Sequence, residues 1–160
     1  MKKLGVIVTA LVLSLAMVGC KINKEDFDKA MSAAGIETPD SICSSIASFD
    51  YNYFNKLKAD DYDKDAFKEA YGLEMDKNKY LAGYFIMSDD KTDADNVYDE
   101  YGAYLEKNGF EKEKADEDST VYFNGTSVVL VWEVGPFSGD YDEKYHGKYG
   151  INVTLENSVK

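Results

Sequence analysis

The chain has 160 residues, with 18 Lys, no Arg, 30 acidic residues and a single His, for a formal net charge of −12. That length suits one domain, and 44% hydrophobic with 14% aromatic residues argues for a packed core over disorder. The charge argues against a nucleic-acid partner, which needs a positive face to displace counterions, and the lack of Arg removes the bidentate fork used for phosphate and guanine.

The first twenty residues carry the most specific signal. Met1-Lys2-Lys3 is a short positive start, and Leu4 to Val18 is an apolar run of 15 residues. A membrane-spanning helix needs about 20 such residues, so the run fits the hydrophobic region of a signal peptide. It ends in Ala16-Met17-Val18-Gly19-Cys20. This resembles the lipobox of bacterial lipoproteins, in which an aliphatic residue and two small residues precede a Cys. Met17 stands where Leu is usual. Small residues suit the narrow cleft of the lipoprotein signal peptidase, and the thiol receives a diacylglyceryl group as a thioether. The resemblance implies that residues 1–19 are removed and that Cys20 becomes the lipid-bearing N-terminus at the extracytoplasmic face of a bacterial cell membrane. Residues 20–22 are then the lipidated Cys and a short tether, and 23–160 form a single acidic domain. Loss of Lys2 and Lys3 takes the net charge from −12 to −14. Two or three acyl chains anchor stably where one does not. The other readings are an uncleaved signal anchor and a plain secretory leader with a chance Cys.

With Cys20 acylated, Cys43 has no intramolecular partner, and the domain cannot depend on a disulfide. Its neighbours Ile42 and Ile46 make a buried small hydrophobe the reading for Cys43, and no catalytic-thiol signature surrounds it.

Asn23 is placed as an N-cap, with Asp26 in the first turn and Ile22 set to staple against Phe27. Phe27, Ala30, Met31 and Ala34 form a helical stripe that Gly35 ends. Thr38-Pro39 opens a second helix. Ile42, Ile46, Phe49, Tyr53 and Leu57 are spaced for it to continue, while Phe49, Tyr51 and Tyr53 alternate as on a strand, so residues 40–57 stay open between helix and strand. A third short helix is predicted from Asp65 to Tyr71. Lys79 to Ser88 is apolar on both alternating faces and predicts a central strand.

Thr92 is the predicted cap of a long helix with the buried stripe Ala94, Val97, Tyr98, Tyr101 and Leu105, closed by Lys107 and Gly109. Glu111 to Asp118 reads as a charged loop. Asn124-Gly125 between apolar runs predicts a tight hairpin, and Val128 to Val134 a second central strand. Tyr149, Ile151, Val153 and Leu155 alternate with polar residues as a half-buried final strand. The expected class is α+β: N-terminal helices, then a β-α-β-β-β unit with its helix packed on an antiparallel-rich sheet. This order, with Ser88-Asp89-Asp90 leading into Ala94 and Tyr98, resembles small uncharacterised lipoproteins of low-GC Gram-positive bacteria, a likeness that brings no agreed activity.

The segment Asp61-Tyr62-Asp63-Lys64-Asp65 opens like a calcium loop. Ala66 stands at the turn glycine and Gly72 at the bidentate acid, so the expectation is solvated turn residues and no metal site. The most site-like segment is the loop Gly135 to Lys148, 14 residues long, which is long for a hairpin connection. It gathers Phe137, Asp140, Tyr141, Asp142, Glu143, Tyr145 and His146, whose rings and carboxylates suit a sugar or a cationic peptide. The competing reading folds those aromatics onto the sheet edge. A single His excludes paired-His zinc motifs. No nucleophile elbow, P-loop or dinucleotide-binding glycine motif occurs, so no cofactor is expected. The expectation is a lipid-anchored, non-enzymatic binding or interaction module, whose partner is an envelope protein, a cationic peptide or a glycan. The alternatives are an envelope hydrolase working through carboxylates or Tyr, and an immunity-type lipoprotein that blocks a basic toxin.

Overall fold

A computed structural model describes residues 20–21, 23–44, 50–56, 65, 68–69, 74–116, 118–139 and 143–159. Its strands are β1 (Cys20–Lys21), β2 (Asp50–Lys56), β3 (Glu74–Ile86), β4 (Glu111–Asp116), β5 (Ser119–Phe123), β6 (Ser127–Val134) and β7 (Gly150–Val159). Its helices are α1 (Lys24–Ala33), α2 (Pro39–Ile42) and α3 (Lys91–Lys107). Among the described residues the strands make one sheet in the order β1-β2-β3-β7-β6-β5-β4, antiparallel at every junction. Helices on an antiparallel sheet make this an α+β fold.

The start and stop of α1 follow the sequence. The Asn23 carboxamide oxygen accepts from the Asp26 backbone N–H at 2.8 Å, and Glu25 and Asp26 lie in the positive first turn. Phe27 and Met31, one turn apart, are fully buried. Gly35 takes φ 79°, the Ile36 N–H reaches back to the Met31 carbonyl, and the Gly35 N–H reaches the Ser32 carbonyl. That is a Schellman stop, with Ile36 packed in the same apolar cluster as Met31. The α3 helix ends the same way, through Gly109 at φ 85° and the Phe110 N–H on the Leu105 carbonyl. The proposed staple residue Ile22 lies outside the described residues.

One open reading is settled and four expectations are corrected. The helix opened by Pro39 stops after one turn, because Cys43 is extended (φ −79°, ψ 119°) and Asp50–Lys56 is strand β2. The alternating aromatics of that stretch favour the pleated state over the helical one. Residues 45–49 and 57 lie outside the described residues. The cap of α3 is Asp90, not Thr92: the Asp90 carboxylate accepts from the Thr92 N–H at 2.9 Å, and this bond holds the Asp90 carboxyl below its ordinary range. Glu111 to Asp116 is not a loop but strand β4, whose polarity is tolerated because it lies at the end of the sheet.

A third correction concerns β7, whose side chains from Ile151 to Leu155 are buried, not half-buried. It lies between β3 and β6, and Ile151, Asn152, Val153, Thr154 and Leu155 are all inaccessible to solvent. Its polar positions are hydrogen-bonded inside the protein: the Thr154 hydroxyl donates to Asn152 Oδ1 at 2.9 Å, and Asn152 Nδ2 donates to the Gly83 carbonyl at 3.4 Å.

The hairpin turn also sits one residue later than an Asn-Gly centre. Phe123 pairs with Val128 and the Asn124 N–H donates to the Ser127 carbonyl, so Gly125 (φ 91°) and Thr126 are central. Asn124 braces the turn, its Oδ1 accepting from the Thr126 and Ser127 N–H groups. Of the predicted helix from Asp65 to Tyr71, Asp65, Lys68 and Glu69 carry helical backbone, and the rest lies outside the described residues.

The two faces of the sheet are distinct. On the front face, Leu81, Phe85, Ile151, Val153, Leu155, Val129, Val131 and Tyr122 meet Phe27 and Met31 of α1 and Ala94, Val97, Tyr101 and Leu105 of α3 in one apolar cluster. The α3 helix lies close because Gly102 is buried on Tyr122: a Cβ at Gly102 would fall 2.4 Å from Tyr122 Oη. On the reverse face, Tyr84 and Ile86 pack with Phe137 and Tyr145 in a second, smaller cluster.

Candidate functional site

The long loop between β6 and β7 leaves the sheet at Gly135, whose φ of 124° and close approach to the Lys148 carbonyl and Tyr149 leave no room for a side chain. Its base is laced by backbone bonds from Phe137 N to Lys148 O (3.0 Å) and from Gly147 N to Phe137 O (3.0 Å). Beyond it the Tyr149 N–H donates to Ser88 O at 2.7 Å and the Met87 N–H to Tyr149 O at 2.9 Å, so β3 holds the far end.

The predicted site residues divide by burial. Phe137 and Tyr145 are buried, with the Phe137 ring edge-on to Tyr84 at 6.3 Å between centroids. Their rings fasten the loop to the reverse face, so their faces are occupied by packing. Glu143 is exposed at the start of a short 3₁₀ turn (Glu143–Tyr145) and His146 is exposed just after it, where the His146 N–H donates to the Glu143 carbonyl at 3.1 Å. Lys144 Nζ lies 4.5 Å from the Tyr145 ring centroid, a cation–π contact at the loop surface. Asp140, Tyr141 and Asp142 lie outside the described residues.

The structure adds a cleft that the sequence did not reveal. Lys91 and Ala94 of α3, Asp118 of the β4–β5 turn, Glu133 and Val134 of β6, Gly135 and Tyr149 enclose about 70 Å³ beside the loop's root. Lys91 Nζ donates to Glu133 Oε2 at 2.7 Å and also to Asp95. Hydrogen bonds to these two carboxylates raise the Lys91 ammonium above its ordinary range. The Glu133 N–H donates to the Asp118 carbonyl at 3.0 Å, which ties the turn to β6. Lys91 and Glu133 are far apart in sequence and meet only because α3 crosses the front face near the end of β6. No local motif could have announced the pair.

The thiol is placed as a core group. Cys43 is 6% exposed, and its Sγ lies 4.0 Å from the Val97 carbonyl. Burial, with the Glu100 and Asp40 carboxylates nearby, pushes the thiol up to about 12. Lys24 bridges Asp28 at 2.6 Å and Asp40 at 3.0 Å and so joins α1 to α2. Among the described residues no three His, Cys, Asp or Glu side chains are grouped to hold a metal ion, and no helix is long and apolar enough to cross a membrane. Asp61 and Asp63 of the calcium-like stretch lie outside the described residues.

Comparison with known proteins gives no family model, no curated relative and no solved structure that matches this chain.

Proposed function

We propose that this chain is an extracytoplasmic lipoprotein whose acidic α+β domain, anchored through acyl chains on Cys20, binds a cationic partner at the bacterial envelope. One observation carries the reading: the sequence from Met1 to Cys20 orders a positive start, an apolar run, a small residue and a Cys as a lipobox does. The fold is compatible with the anchor. Cys20 pairs in register with Lys56 at one end of the sheet and α1 begins at Lys24, so the domain begins beside the lipid instead of on a stalk.

The binding half of the reading draws on charge and on the state of the polar groups. A net charge of −14 after leader removal favours association with a basic protein or peptide. Lys91 is held as an ammonium by Asp95 and Glu133, and Cys43 is held as a neutral buried thiol, so both are suited to structure over proton transfer or nucleophilic attack. Glu143 and His146 are exposed at the loop surface, where a glycan or peptide would meet them.

Expression of the full chain with an alkyne-tagged palmitate in a bacterium that processes lipoproteins tests the anchor. The tag is expected on the native chain and absent from Cys20→Ser, which should also keep its leader. Equal labelling of the two chains would overturn the proposal.

A further inference from the structure

We propose that the cleft at the root of the β6–β7 loop takes one lysine side chain presented by a protein partner. The inference rests on the binding role proposed above and names the chemistry which that role recognises. It does not depend on acylation of Cys20, so the two can fail separately.

Size narrows the occupant first. The cleft encloses about 70 Å³. Sites for free small molecules run from about 300 Å³ upward, so a free sugar or a cofactor would find too little enclosure. A water's share of the liquid is about 30 Å³, which leaves room for the tip of a single side chain.

The lining then selects the kind of side chain. Ala94, Val134 and Tyr149 give apolar surface, and Glu133 and Asp118 give carboxylates. A long apolar stem with a cationic head meets both kinds of wall. Lys91 is already matched to Asp95 and Glu133 together, so this trio carries a net negative charge that an incoming cation offsets. A calcium ion wants roughly six or more oxygens, whereas here an ammonium sits 2.7 Å from Glu133 Oε2.

Glu133 decides between lysine and arginine. Arginine binds best when its fork takes both oxygens of one carboxylate. Lys91 holds Oε2, which denies that fork its second oxygen. A carboxylate offers about four lone-pair sites, so Oε1 can still accept from a compact ammonium. The Glu133 side chain is 17% exposed, against 75% for Glu25 on α1, so a cation reaching it is screened less by solvent. Its place is also fixed in advance, by Lys91 on the side chain and by the Glu133 N–H bond to the Asp118 carbonyl.

Amide NMR of the isotope-labelled full chain at low salt tests the proposal. The probe is acetyl-Gly-Gly-Lys-Gly-Gly-amide, with norleucine or arginine at the centre of two comparison peptides. The lysine peptide should move the Ala94, Glu133, Val134 and Gly135 signals saturably, at least about tenfold more tightly than the norleucine peptide and more tightly than the arginine peptide. Glu133→Gln, with an unchanged circular dichroism spectrum, should weaken lysine binding at least about tenfold. Glu25→Gln removes an equal charge on α1 and should weaken it less than about twofold. Equal weakening by the two variants would overturn the cleft and leave charge-driven association standing. Unmoved signals, or equal binding of the lysine and norleucine peptides, would overturn the proposal outright, and tighter binding of the arginine peptide would overturn the choice of lysine.

Discussion

The front and reverse faces of the sheet are closed by different means. On the front, two helices, both ended by a Schellman turn, bring Phe27, Met31, Val97, Tyr101 and Leu105 down on Phe85, Val129 and Val153. On the reverse, the loop after β6 brings Phe137 and Tyr145 onto Tyr84 and Ile86. The helices cannot leave without exposing the main core. The loop is held by two buried rings and a few backbone bonds. The difference teaches that global stability resides on the front, while the reverse cluster mainly sets the conformation of the loop that carries Glu143 and His146.

The largest expected break in this comparison is Phe85→Ala. It removes a fully buried ring 6.0 Å from the Phe27 centroid, and the expected loss is about 3–5 kcal/mol by urea denaturation. Phe137→Ala should cost less, about 1–3 kcal/mol, because the loop can relax away from the sheet. Its distinctive sign is faster hydrogen exchange at Gly147 while α3 stays protected. Equal losses for the two variants, with exchange raised everywhere, would erase the distinction between the faces.

Gly102→Ala probes how closely α3 lies on the front. The added methyl meets Tyr122 Oη, and overpacking of this kind costs about 1–3 kcal/mol. Adding Tyr122→Phe removes the hydroxyl and should recover most of that loss, a coupling that a double-mutant cycle measures. Thr154→Val tests the buried polar positions of β7. It takes the donor from Asn152 Oδ1, and about 1–2 kcal/mol should be lost by thermal or urea unfolding.

The smallest effect is chemical. The Cys43 thiol is raised by burial from 9.0 to about 12. A folded-state value above the unfolded one means that the unfolded chain releases its proton first as pH rises. The stability from this group is whole below about pH 9 and declines from there toward pH 12. Cys43→Ala should flatten that decline, and a disulfide reagent at pH 8 should label Cys43 slowly in the native chain and rapidly in urea.

Much of the fold was legible because local signals and tertiary packing agreed. Asn23 and Gly35 bound α1, and the stripe from Ala94 to Leu105 marks the buried face of α3. The apolar runs of β3 and β6 lie inside the sheet as their two-sided hydrophobicity implies. Legibility failed where the sheet overrode local pattern. Glu111 to Asp116 has the composition of a loop, yet the β5 edge gives it a hydrogen-bonding partner. Asn152 and Thr154 made β7 read as half-exposed, yet they satisfy one another and Gly83 in the interior. Of the loop residues proposed for binding, Phe137 and Tyr145 read more readily as packing than as recognition rings, and the position of Tyr84 and Ile86 beneath them shows that they pack. The Lys91–Glu133 cleft joins two elements that no sequence spacing relates.

The anchoring proposed for this domain is most directly tested by mass spectrometry of the chain purified from bacterial membranes. The N-terminal peptide should begin at Cys20 and carry a diacylglyceryl group on sulfur. A peptide with the leader still attached, or one beginning at Cys20 with an unmodified thiol, would contradict the account.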